Sequence, residues 1–242
     1  MSTIQYIALF TASFCGGGLA YYFQRNNENV LKTALAFSGA YLLGVTFLHL
    51  LPEAYAEGGA NIGFLVLGGF ILQIFLDQFS QGVEHGHIHA AHHAHSGIAI
   101  SLIFGIGLHA LLEGLPLDGF AAHQNHPHNQ LLVGVLMHKP PETFALTLLL
   151  LQSGLSKQKA FLYLLFFSLI TPFGAYIGYG LEAQHWLDGK LMVYIMAVVI
   201  GTFFHIATTI LFESEPNAHH HISLKRFLPM LLGIGIAMLT MH

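Results

Sequence analysis

Apolar residues fill eight long runs along the chain, at about 3–22, 31–51, 61–82, 97–117, 130–152, 160–181, 190–212 and 225–241, with short polar stretches between them. Each run is close to the ~20 residues that a helix needs to cross a bilayer. The runs are apolar on all sides and lack period-two alternation, which predicts helices rather than the strands of a barrel. Together they use nearly the whole chain, so residues 1–242 read as a single polytopic transmembrane domain with no separate soluble part. The first run lacks a basic flank and a small-residue cleavage site, and reads as a retained helix rather than a signal peptide.

Composition agrees: 54% of residues are hydrophobic and 8% charged, the balance of a polytopic membrane protein. The basic residues orient the bundle. Arg25 and Lys32 lie in or beside the first loop, Lys157 and Lys159 in the fifth, and Lys225 and Arg226 at the end of the seventh. Across the membrane only Lys190 faces them, and Lys139 lies within a run. This bias places the odd-numbered loops in the cytoplasm. The expected fold is therefore an all-α integral membrane protein with eight transmembrane helices and both termini outside. A compact chain without a long leader fits a bacterial inner membrane. The single cysteine, Cys15, permits neither an internal disulfide nor a thiolate cluster.

Histidine is concentrated at chosen places. The third loop, about 83–96, carries His85, His87, His89, His92, His93 and His95. Such a tract cannot bury a core, and its usual physical consequence is metal affinity. Smaller clusters follow at His123, His126 and His128, and at His219, His220 and His221. These loop histidines suit capture or hand-off of metal rather than a fixed site; the plain alternative is solvated polar filler.

Within the apolar runs, histidine and glutamate recur four residues apart. With 18 histidines and 12 acidic residues in 242, chance predicts about one His-x-x-x-Asp/Glu pair. The chain has three, His49/Glu53, His109/Glu113 and His138/Glu142, all in apolar segments. Four residues is about one helical turn, so each pair shares a helix face. Ionisable groups at membrane depth cost several kcal/mol unless partnered, and they mark a functional path by default. Neutral imidazole with carboxylate is what a divalent transition metal binds. Facing helices carrying His109/Glu113 and His138/Glu142 would supply four donors and two negative charges for a dication. Two bare carboxylates there would repel one another, so the site should lose metal as pH falls and its ligands take up protons.

Other intramembrane polar residues have open readings. Lys139 adjoins His138 but points about 100° around the helix. It either takes the place of a second cation beside the site or forms a structural salt bridge, with Asp77 a candidate. His49 and Glu53 sit at the outward end of the second run, as metal collectors or as an interfacial cap. His205 and Glu213, eight residues apart, share a face of the seventh run, and Glu213 with Asp77 could serve the cytoplasmic end of a path. Pro140 and Pro141 would free the carbonyls of Leu136 and Met137 beside His138, or simply kink the helix.

The motifs resemble those of the ZIP (Zrt/Irt-like) family of divalent metal transporters. HALLEG at 109–114 is similar to its fourth-helix motif, HKPPE at 138–142 to its fifth, LHLLPEA at 48–54, which contains His49, to the end of its second helix, and TPFGAYIG at 171–178 to its sixth. The resemblance implies uptake of zinc, and in many members iron, manganese or cadmium, into the cytoplasm. It implies homodimers, metal bound between helices four and five, and repeats of the first and last three helices packed around them. Carried over, His109, Glu113, His138 and Glu142 become the transport site. Many members have a second adjacent metal site, but here its positions hold Ala110 and Lys139, which points to a mononuclear site with lysine as built-in cation. Thr143 stands where glycine usually follows the fifth-helix acid.

The residues thus point to a transporter working by alternating access about a mid-membrane site, with zinc, iron, manganese or cadmium as substrate. The alternative from another class is an integral-membrane metalloenzyme, because His89, His92 and His93 form the HxxHH box of di-iron hydroxylases. Those enzymes need several boxes and the chain has one.

Overall fold

A computed structural model describes residues 1–22, 28–80, 96–123, 129–184, 189–213 and 224–239. It is helical throughout, with no strand among the described residues. The helices are α1 (Thr3–Leu19), α2 (Glu28–Val45), α3 (Leu51–Gly58), α4 (Ile62–Ser80), α5 (Ser96–His123), α6 (Asn129–Gln152), α7 (Lys157–Ala183), α8 (Gly189–Glu213) and α9 (Leu224–Leu239). A π-helical turn at Thr46–Leu50 joins α2 to α3, so the helical path of the second apolar run continues about seven residues past its end at residue 51. Each of the eight runs falls on a helix. Among the described residues, four stretches are long and apolar enough to cross a membrane by length and composition: Val30–Ser80, Ile100–Asp118, Lys157–Ala183 and Gly189–Leu211.

Where the helices outrun the sequence boundaries, local chemistry accounts for it. Pro52 does not end the helical path: it sits in the first turn of α3, just after the π-helical turn, where the helical hydrogen-bond register changes. The helix ends at Gly59, whose φ of +71° suits a residue without a Cβ. Ser156 caps α7, its hydroxyl accepting from the Lys159 amide at 3.4 Å. Pro140 and Pro141 do not break α6, which runs uninterrupted past them; the Thr143 hydroxyl donates to the Lys139 carbonyl at 2.8 Å.

Glycine sets which helices touch. The most extensive contacts pair α5 with α7, α4 with α8, α2 with α9 and α1 with α6. A Cβ on Gly201 of α8 would meet the Val66 carbonyl oxygen at 2.0 Å, and one on Gly69 of α4 the Val198 oxygen at 2.0 Å, so these backbones lie directly against each other. Gly114, Gly174 and Gly178 do the same between α5 and α7. Small residues at such contacts let membrane helices gain van der Waals contact where hydrophobic driving force is absent. Gly16 and Gly17 of α1 sit against Pro140, Thr143 and Thr147 of α6, so α1 supplies the glycine that Thr143 takes from α6. Large apolar side chains on the outer faces, among them Phe64, Leu67, Ile71 and Phe75 of α4, are exposed, as lipid-facing residues are.

The crowding makes neighbouring glycines unequal. Gly69→Ala should destabilise the protein by about 1–3 kcal/mol through overpacking. Gly68→Ala, with nothing within 4 Å of its added Cβ, should be neutral or stabilising by up to about 1 kcal/mol. Thermal unfolding of the two purified variants in detergent checks this.

Candidate metal centre

The inner faces of α5 and α6 carry His109, Glu113, His138, Lys139 and Glu142, none more than 1% exposed. The i, i+4 spacing stacks His109 above Glu113 on α5, with His109 Nε2 at 3.4 Å from Glu113 Oε2. On α6 the same spacing aligns His138 with Glu142. The two imidazoles face edge-to-face, with ring centroids 6.5 Å apart. One donor atom each from His109, His138 and Glu142 lie within 4.8 Å of one another, close enough to hold a single ion.

Lys139 organises the carboxylates. Its ammonium is 2.6 Å from Glu142 Oε2 and pairs with Glu113 Oε1 across the helix interface. The Thr171 hydroxyl on α7 also donates to Glu113 Oε1, at 3.1 Å. Phe167 of α7 lies beneath the ammonium, 5.4 Å from ring centroid to Nζ, a distance at which a ring face attracts a cation. Each glutamate therefore gives one oxygen to the lysine and keeps the other. Glu113 Oε2, Glu142 Oε1 and both His109 nitrogens have no hydrogen-bond partner among the described residues. Buried polar atoms are normally satisfied, so several orphaned donors converging on one place is the signature of a ligand site.

Lys139 thus finds Glu113 and Glu142, not Asp77, as its carboxylates. Asp77 of α4 instead pairs with His205 of α8 at 2.5 Å, and Gln73 donates to it at 2.9 Å. Of the four expected ligands, three form the close group; Glu113 stands beside it, half committed to Lys139 and Thr171. Ala110 is buried next to His109 and brings no donor. His49 lies in the π-helical turn, its Nε2 3.4 Å from the Ala237 carbonyl oxygen on α9, and Glu53 follows in the first turn of α3. His49, Glu53, Asp77 and His205 are outside the close group. Glu213 ends α8, and its side chain is outside the described residues. So are all six loop histidines from His85 to His95 and the HxxHH box among them. Sequence reasoning missed Thr171 and Phe167. The TPFGAYIG motif marked Thr171, but nothing local shows that its hydroxyl reaches a carboxylate 58 residues away.

The fold and the site define a multi-pass helical membrane protein with a buried cluster of side chains that could hold a metal ion. The chain belongs to the ZIP zinc transporter family, whose model matches residues 2–99 and 82–241. It is similar to zinc transporter ZIP1 of Danio rerio, 28% identical over 152 residues that make up 62% of this chain and 49% of the relative. Zinc transporter ZIP9-B of Xenopus laevis is 28% identical over 173 residues, 67% of this chain and 55% of the relative. Zinc transporter ZIP9 of Macaca fascicularis is 32% identical over 126 residues, 48% and 52% of the two chains. The chain spans about half the length of the curated relatives it matches. These relatives are vertebrate proteins, so they lend nothing to a bacterial inner membrane, and the hydroxylase alternative finds no support among them.

Removing the shared cation should expose the repulsion it offsets. Lys139→Met leaves two buried carboxylates facing each other, and breaking a buried ion pair costs about 3–5 kcal/mol. Metal-free Lys139→Met protein should melt well below wild type. Zinc should raise its melting temperature more than it raises that of wild type, which thermal melts with zinc and with chelator would show.

Proposed function

We propose that this protein carries zinc into the cytoplasm by alternating access about a mononuclear site between α5 and α6. These are the fourth and fifth of eight membrane-spanning helices, with both termini outside. The whole chain acts as one transmembrane domain in the cell membrane, as a homodimer in keeping with the resemblance. The single observation that carries the reading is the donor geometry. His109, His138 and Glu142 converge within 4.8 Å, and Glu113 turns its spare oxygen toward His109 at 3.4 Å.

Two imidazoles and two carboxylate oxygens suit tetrahedral zinc. Iron, manganese and cadmium are further substrates of the same donor set, with geometry and availability deciding among them. Lys139 fills the second-cation position, which is why one ion rather than two is expected. Membership in a family of transporters, and relatives named as zinc transporters, support transport over catalysis. His49 and Glu53 then lie toward the outward mouth, Asp77, His205 and Glu213 toward the cytoplasmic end, and the loop histidines are auxiliary.

The test is radioactive zinc uptake into proteoliposomes. Removing an outer partner of a metal site already costs about 10–100-fold in affinity, so His138→Ala and Glu142→Ala should cut uptake at least that far while the protein remains folded. Uptake by wild type should also weaken as pH falls, because protons compete with metal for imidazole and carboxylate. Near-normal zinc uptake by His138→Ala would overturn the assignment.

A further inference from the structure

Thr171 offers no strong metal donor, yet it touches the site from a third helix. It is 3% exposed, and its hydroxyl donates to Glu113 Oε1, the oxygen that also receives Lys139. The terminal torsion of a glutamate is soft and roughly two-fold, so one contact from a long lysine stem does not fix which oxygen faces where. A second donor from a different direction does. With Oε1 held by both, Oε2 is left pointing at His109, beside the group formed with His138 and Glu142.

The backbone holds Thr171 in place. A Cβ on Gly114, the residue after Glu113, would meet the Thr171 carbonyl oxygen at 2.4 Å, and one on Gly174 would meet the Leu111 oxygen at 2.5 Å. Helix α7 therefore lies against the very turn that carries Glu113, which keeps the Thr171 backbone within reach of that carboxylate.

We propose that Thr171 is a positioning residue for the metal: its hydroxyl fixes the Glu113 carboxylate so that Oε2 completes a four-donor site with His109, His138 and Glu142. This rests on the reading of that cluster as the transport site. Thr171→Val keeps the shape and removes the hydroxyl; Thr171→Ser keeps the hydroxyl. In proteoliposomes, Thr171→Val should raise the KM for zinc uptake about tenfold, in the range of lost outer-shell contacts to a metal site, with the maximal rate little changed. Thr171→Ser should restore the KM. Zinc should also raise the melting temperature of purified Thr171→Val less than that of wild type or Thr171→Ser. If the valine variant does not fold, Thr171→Ala takes its place in the same comparison.

A wild-type KM in the hydroxyl-free variant, or a serine variant no better than it, overturns the proposal. His138→Ala is run alongside. If it loses uptake while Thr171→Val keeps a wild-type KM, the positioning role alone fails. If His138→Ala transports normally, the site reading fails and takes the proposal with it.

Discussion

An ammonium with no access to water must be answered by anions, and Lys139 meets that demand in the centre of the bundle. Its two partners lie on different helices: Glu142 one turn along α6 and Glu113 on α5. Helices α5 and α6 otherwise make few contacts with each other. The lysine is thus the charge that lets two carboxylates share a dry interior, and the tie between two helices whose main packing is with others. The arrangement of the candidate site follows, because each glutamate commits one oxygen to the lysine and leaves one over.

Around this centre the scaffold is built by close backbone approach. Burial of apolar side chains gives little specificity among helices that already lie in lipid, so steric fit decides the partners. Gly69 and Gly201 seat α4 on α8, while Gly114, Gly174 and Gly178 seat α7 on α5. The second of these contacts brings α7 near the ligands. One glycine-lined seam therefore serves two ends, holding helices together and setting a wall of the site.

The helices were legible because membrane-length apolar runs leave few alternatives, and all eight runs fall on helices. Their ends were less so: the second run stops at about residue 51 in sequence, yet the helical path continues through Pro52 to Gly58, and a π-helical turn within an apolar run leaves no mark. In the site, His109, Glu113, His138 and Glu142 stood out because charge and imidazole are rare in such runs. The Lys139–Glu142 contact is an i, i+3 neighbour relation, open to spacing arguments. What could not be read was which carboxylate on another helix the lysine would take, since Asp77 and Glu113 both lie in apolar runs and spacing relates neither to Lys139. Asp77 found His205 instead. The Thr171–Glu113 contact is invisible for the same reason, being fixed by how α7 lies on α5.

The Lys139 contacts also divide the site unevenly. The pair with Glu142 lies within α6 and would stay with that helix wherever it went; the pair with Glu113 spans a helix boundary. Sorted by helix, α6 carries a self-neutralised lysine and glutamate beside one imidazole. The α5 half carries an imidazole and a carboxylate that takes its countercharge from α6 and is steadied by an uncharged hydroxyl from α7. Parting the two helices would therefore leave α6 close to neutral and strand a bare carboxylate on α5, so the lysine sets an electrostatic resistance to opening at this seam.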